Sequence, residues 1–235
     1  MSENSVTLRV NELVKTYKLG KVEVPALRGV SLEVKKGEFV SITGPSGCGK
    51  STLMHLIGCL DRPTNGEIFL DGANVSTLDD NQLAEIRNKK IGFVFQSFNL
   101  LPKLNAEKNV ALPLYYYGIR REQRDEMAHK FLDTLALGDR AHHKPAELSG
   151  GEGQRIAIAR ALINDPSIIL ADEPTGNLDT KTSQDIMKIL QDINRRGATI
   201  LVVTHEPDIV TSTKRVIRLR DGRIISEDKV DQQLL

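Results

Sequence analysis

The run Gly44-Pro45-Ser46-Gly47-Cys48-Gly49-Lys50-Ser51-Thr52 has the spacing G-x-x-x-x-G-K-[ST] and stands between the apolar stretch EFVSITG and the helical stretch TLMHLIGCL. Such a loop cradles phosphate, because glycines let backbone N–H groups curl round the phosphate oxygens while the following helix points its positive end at the same anion. Lys50 then reaches the β- and γ-phosphates of a nucleotide as a point charge, the Ser51 hydroxyl suits Mg²⁺, and Thr52 supports the α-phosphate. Cys48 reads as a small filler inside the loop, although a thiol reagent that reached it would block nucleotide binding.

A second group of chemically able residues lies downstream. Ile168-Ile169-Leu170-Ala171-Asp172-Glu173 is an apolar run ending in two carboxylates. In a parallel sheet ligands collect at the C-terminal ends of strands, which puts both carboxylates beside the phosphate loop. Asp172 suits Mg²⁺ through its water shell, and Glu173 suits the general base that polarises an attacking water. Without the loop, the same pair would read equally well as solvated turn chemistry.

The elements that must position these residues follow from the pattern. EFVSITG (38–44), IGFVF (91–95), SIILADE (167–173) and ATILVVTH (198–205) are mostly continuous apolar runs, which suit an α/β sheet covered by helices on both faces. Asp-Gly pairs in GEIFLDG and RVIRLRDGRIISE predict hairpins, hence some antiparallel sheet. Between Asp79 and Asp139, Leu83, Ile86, Met127, Phe131 and Leu135 fall at helical spacing, which predicts a mostly helical insert docked on the core. The charged run Arg120 to Glu126 reads as a solvated helix face.

Composition narrows the function classes. With 235 residues, 40% hydrophobic, the chain can bury a large core. The 32 basic residues against 31 acidic leave a net charge of +1, with no excess field for a nucleic-acid backbone, so no nucleic-acid partner is expected. Cys48 and Cys59 have no second Cys/His pair to complete a zinc site. No run approaches eighteen apolar residues and MSENSVTLRV is unlike a leader, so the expectation is a chain that neither crosses a membrane nor is exported.

Leu148-Ser149-Gly150-Gly151, followed by Gln154-Arg155 and IAIARAL, resembles the signature of ATP-binding cassette (ABC) ATPases. The order is also similar: phosphate loop, Gln96 after IGFVF, signature, Asp172-Glu173, Asn177-Leu178-Asp179, and His205 after ILVVT. The resemblance covers nearly the whole chain. It implies a P-loop NTPase (RecA-like) core with an antiparallel β subdomain and an inserted α-helical subdomain, one cassette with parts at 1–80, 81–160 and 161–235.

It further implies an ATPase in which two copies sandwich two ATP molecules with Mg²⁺. Ser149, Gly150, Gly151 and Glu152 would then face the nucleotide held by the partner's phosphate loop, and Asp179 would link the sites across the interface. Gln96 would complete the Mg²⁺ geometry with Ser51 and Asp172 and sense a permease, His205 would hold the γ-phosphate and water, and Tyr17 would stack on adenine. The chain departs from the family pattern where two glutamines usually follow the signature glycines. Here stand Glu152, which would repel nucleotide if it turned inward, and Gly153, which costs about 1 kcal/mol relative to alanine in a helix.

GCLDRPTNGEIFLDG, RNKKIGFVFQSFNLLPKLNAEKNVALPLYYYG and ILADEPTGNLD are similar to the macrolide-export and lipoprotein-release group. That likeness implies a separate integral-membrane permease, with this chain peripheral on the cytoplasmic side and Tyr115-Tyr116-Tyr117 as candidate contacts. A soluble ABC switch, or a cell-division or peptide-resistance cassette, are the alternatives.

Overall fold

A computed structural model describes residues 5–20 and 22–235. The chain opens with β1 (Val6–Leu19) and β2 (Val22–Lys35), an antiparallel pair, and continues through β3 (Phe39–Thr43) into α1 (Lys50–Ile57). Next, β4 (Asn65–Leu70) and β5 (Ala73–Asn74) complete a four-stranded antiparallel sheet in the order β2-β1-β4-β5. Then come α2 (Asp80–Lys90), β6 (Ile91–Phe95), α3 (Ala106–Tyr116), α4 (Arg121–Thr134) and α5 (Gly150–Leu162). The chain returns as β7 (Ile168–Asp172), α6 (Thr180–Arg195), β8 (Ile200–Val203), α7 (Pro207–Thr211), β9 (Arg215–Arg220) and β10 (Arg223–Lys229). The second sheet runs β10-β9-β3-β8-β7-β6, parallel from β9 to β6 with β10 as an antiparallel edge.

Alternate residues of the parallel strands serve two cores. Val40, Ile42, Leu170 and Leu201 pack with Leu53 and Leu56 of α1 and with Leu8 and Leu27 of the antiparallel sheet. Phe39, Ile169, Ile200 and Val202 face Ile186 and Leu190 of α6 and Ile158 of α5. Burial on both faces is why these strands read as unbroken apolar runs. Both predicted Asp-Gly hairpins form, with φ 48° and 80° at Asp71 and Gly72 and 49° and 74° at Asp221 and Gly222. Positive φ at both central residues matches the twist of the flanking strands.

A third core holds Val110 and Leu114 of α3, Ala128 and Leu132 of α4, and Ile156 and Ala159 of α5. Its extent corrects the expected insert. Leu83 and Ile86 of α2 pack in the first core, and β6 is an edge strand of the six-stranded sheet, so the helical unit begins beyond β6. On α4, Ala128 and Leu132 turn inward, Phe131 and the C-cap residue Leu135 pack partly, and Met127 is exposed. Arg121 and Asp125 pair at 3.7 Å on its solvated face. Because α5 lends Ile158 to the second core and Ile156 to the third, it ties the helical unit to the sheet.

Candidate active site

The phosphate loop joins β3 to α1 with Pro45, Ser46 and Gly47 exposed at its crest. Gly49 has φ 105°, and a Cβ there would sit 2.6 Å from the Ala26 carbonyl oxygen of β2, so only glycine fits. Lys50 folds over the loop and donates to the carbonyl oxygens of Gly44 at 2.9 Å and Pro45 at 3.0 Å. Ser51 is exposed at the start of α1 and Thr52 is half-buried. Cys48 is buried in the first core and its carbonyl accepts the Gly222 N–H at 3.0 Å, so it fills space and is shielded from reagents.

Register brings the second group to the same sheet edge. Phe95 pairs with Asp172, Asp172 with Val203, and Ile42 with Val203, so the loop, Gln96, Glu173 and His205 all emerge from one end of adjacent strands. Asp172 has its pKa raised, by burial first and then by the neighbouring Glu173, against the charges of His55 and Lys50. Glu173 lies in the left-handed region at φ 43°, its N–H fixed to the Val203 carbonyl at 2.9 Å, and one carboxylate oxygen is 2.7 Å from His205 Nδ1. Such a conformation is costly for a residue with a Cβ and is held by the surrounding sheet. Gln96 Nε2 donates to Asn177 Oδ1 at 3.3 Å, and Asn177 Nδ2 donates to the Gln96 carbonyl at 3.1 Å.

This arrangement holds a carboxylate against an imidazole beside a phosphate cradle, which suits polarising a water for attack on a phosphoryl group. Ser51, Gln96 and Asp172 offer hydroxyl, amide and carboxylate oxygens, the hard donors that Mg²⁺ takes, and a cation would offset the strained ionisation of Asp172. Tyr17 pairs in register with Val24, two residues before the Ala26 carbonyl that abuts Gly49. Its hydroxyl donates to Asp61 at 3.1 Å, and Lys15 Nζ lies 4.9 Å from the ring centroid. Burial opposes the Asp61 charge, yet bonds from Lys15, the Arg62 N–H and Tyr17 hold its carboxyl below the usual range.

Ser149 and Gly150 are exposed at the N-terminus of α5. Ser149 caps the helix with Glu152, and a Cβ on Gly151 would meet Thr182 of α6 at 2.6 Å. Asp179 caps α6 by accepting from the N–H and hydroxyl of Thr182, bonds that keep its carboxyl below the usual range. Glu152 turns back from solvent: it accepts the Ser149 N–H at 2.8 Å, the Ser149 hydroxyl at 2.8 Å and Arg140 Nε at 2.8 Å. Those bonds, the Ser149 N–H first, push its pKa down to about 2.

The structure adds Phe98 and Arg160, which the sequence did not single out, and gives Gly153 and Gln154 their partners. Phe98 leans on α5, where a Cβ on Gly153 would lie 3.1 Å from its ring, so the glycine makes room for it. Arg160 donates to the carbonyls of Phe98 at 2.8 Å and Asn99 at 2.6 Å, fixing the loop that carries Gln96. Gln154, fully buried, donates to the Pro174 carbonyl at 2.6 Å and so ties α5 to the turn after Glu173. Only the glycine hinted at any of these contacts in sequence.

Beyond this edge, α2 and β6 meet the end of α3 at an open groove of about 800 Å³ lined by Leu60, Arg87, Phe93, Phe95, Tyr116 and Tyr117. Tyr116 is 71% exposed and also borders an adjoining hollow with Leu112, Pro113 and Arg160. Among the described residues no helix is long and apolar enough to cross a membrane.

Comparison with known proteins agrees with this geometry. The family model described as ABC transporter matches residues 27–176. An uncharacterized ABC transporter ATP-binding protein of Thermotoga maritima is 55% identical over 92% of this chain and 94% of its own length. The macrolide export ATP-binding/permease protein MacB of Hyphomonas neptunium is 50% identical over 94% of this chain but only 34% of its own length, so the chain spans about a third of that relative. The dimeric post-hydrolysis structure of the ATP-binding cassette MJ0796 bound to ADP and Pi superposes with a TM-score of 0.87 at 48% identity, covering 95% of this chain and 98% of that one. With family model, relatives and solved fold in agreement, the chain belongs to the ABC transporter family as an ATP-binding cassette and ATPase.

Proposed function

We propose that two copies of the chain close on two ATP molecules with Mg²⁺, and that hydrolysis drives a separate integral-membrane permease of the macrolide-export or lipoprotein-release type. Lys50 leaves the loop carbonyls for the β- and γ-phosphates, Tyr17 stacks on adenine, and Ser51, Asp172 and Gln96 would hold the Mg²⁺, which would neutralise developing phosphate charge. Glu173 takes the proton of the attacking water while His205, 2.7 Å away, keeps the carboxylate aimed and meets the γ-phosphate. Ser149, Gly150 and Gly151 form a second anion cradle for the partner's nucleotide, and Asp179 lies at the junction of the copies.

The transport reading rests on one observation, the aromatic groove with Tyr116 standing 71% exposed at its edge. Exposed aromatics round an apolar hollow mark a binding surface. The MacB relative joins an ATP-binding part to a permease in its name, and the groove is where a permease segment would seat on this chain. The cassette would then lie against the cytoplasmic side of the membrane.

The test is purification from native membranes in mild detergent, with Tyr116→Asp as control. One stoichiometric integral-membrane polypeptide should copurify with the parent chain in an ATP-dependent manner and be lost from Tyr116→Asp, while ATP turnover of the isolated variant stays at the parent level. Capture of a soluble partner alone, with ATP still hydrolysed, would favour a soluble switch.

A further inference from the structure

Glu152 occupies the third position of α5, where its carboxylate reaches the end of the helix that an incoming phosphate would occupy. The Ser149 hydroxyl has one proton, and that proton is donated to Glu152 at 2.8 Å. While the bond stands, the hydroxyl cannot donate to a phosphate oxygen. The carboxylate also takes up the favourable field of the helix N-terminus, which a phosphate would otherwise use in full. Arg140, on a turn outside α5, holds the other carboxylate oxygen at 2.8 Å and supplies the counter-charge.

We propose that Glu152 is a positioning residue acting through Ser149: it is a built-in competitor of the partner's γ-phosphate, restrained by Arg140, and it raises the ATP concentration at which two cassettes close. The inference rests on the ATP-sandwich reading and deepens it. A glutamine at this position keeps the reciprocal cap, since its amide oxygen accepts the Ser149 N–H, yet carries no charge to compete. The substitution therefore keeps the cap, with the amide oxygen still able to accept the Ser149 hydroxyl, and removes the charge alone.

The experiment follows ATP-driven dimerisation by sedimentation velocity in a Glu173→Gln background, where slow hydrolysis preserves the ATP state. Adding Glu152→Gln should lower the half-saturating ATP concentration by about three- to fivefold, the scale of one charge at a helix end. Its melting temperature should not rise, because the Arg140 ion pair is lost. Arg140→Gln, which leaves the carboxylate without its counter-charge, should shift half-saturation the opposite way. The double variant should match Glu152→Gln alone.

A residue that only capped the helix would weaken folding and dimerisation together, so opposite signs mark the positioning role. Dimerisation in Glu152→Gln equal to or weaker than in the parent, or no effect of Arg140→Gln, would overturn the inference alone. Failure of the parent to dimerise at any ATP concentration would overturn the sandwich reading and this inference with it.

Discussion

Glu173 combines two features that suit a base: a backbone at φ 43° that aims the side chain off the sheet edge, and an imidazole nitrogen 2.7 Å from the carboxylate. Replacing it by glutamine keeps shape and bonding capacity but removes the proton acceptor. Turnover of Glu173→Gln should fall by about 10²- to 10⁴-fold with ATP binding retained, measured by phosphate release and by nucleotide fluorescence; near-normal turnover would remove the base role. Glu152 makes a different statement, about stability. Folding lowers its pKa from 4.5 to about 2, chiefly through the Ser149 N–H and then Arg140. A lowered value means the bonds stabilise the fold fully above the unfolded pKa and lose that contribution as the pH falls towards the folded one. In urea unfolding, the stability difference between the parent and Glu152→Gln should thus be level near neutrality and shrink between pH 4.5 and about 2.

Elements explain why parts of this molecule were legible and parts were not. The phosphate loop is local chemistry, with glycines, lysine and helix start within nine residues, so its sequence announces it. The buried strands were legible because sheet faces on both sides demand continuous apolar runs. The long β1 gave no such signal: its register shifts between Val10 and Leu13, with Glu12 at φ 46°, and the bulge breaks the alternation that would reveal a strand. Arg140 and Arg160 stayed hidden because tertiary packing alone brings their partners near, from 12 positions away for Glu152 and 62 for Phe98. Gly153 was legible only as a weak point in a helix, whereas its place beneath Phe98 gives it a use. Alanine there should forgo the gain of about 1 kcal/mol that Gly→Ala brings to a helix, because the Phe98 ring must shift; in a Phe98→Ala background the same change should recover it, as chemical denaturation would report. Equal gains in both backgrounds would contradict the packing role.

At the scale of the whole molecule, two groups of site residues can be told apart. The phosphate loop, Asp172, Glu173 and His205 gather at one sheet edge, while Ser149 and Gly150 stand exposed at the end of α5 with Asp179 at the start of α6 nearby. α5 joins these regions mechanically, since it packs in both the sheet core and the helical core, and Arg160 on it grips the loop after Gln96. On the proposed reading, a permease segment seated in the Tyr116 groove would lie against that same assembly and would give nucleotide state a physical route to it. If the catalytic unit is two chains round shared nucleotides, activity per chain depends on how often chains meet. The most direct measurement is the specific ATPase rate of the isolated cassette as its own concentration is varied at saturating ATP and Mg²⁺. The rate per chain should rise with concentration to a plateau, parallel to the fraction dimeric; a rate per chain independent of concentration in a range where the protein is monomeric would contradict the two-chain site.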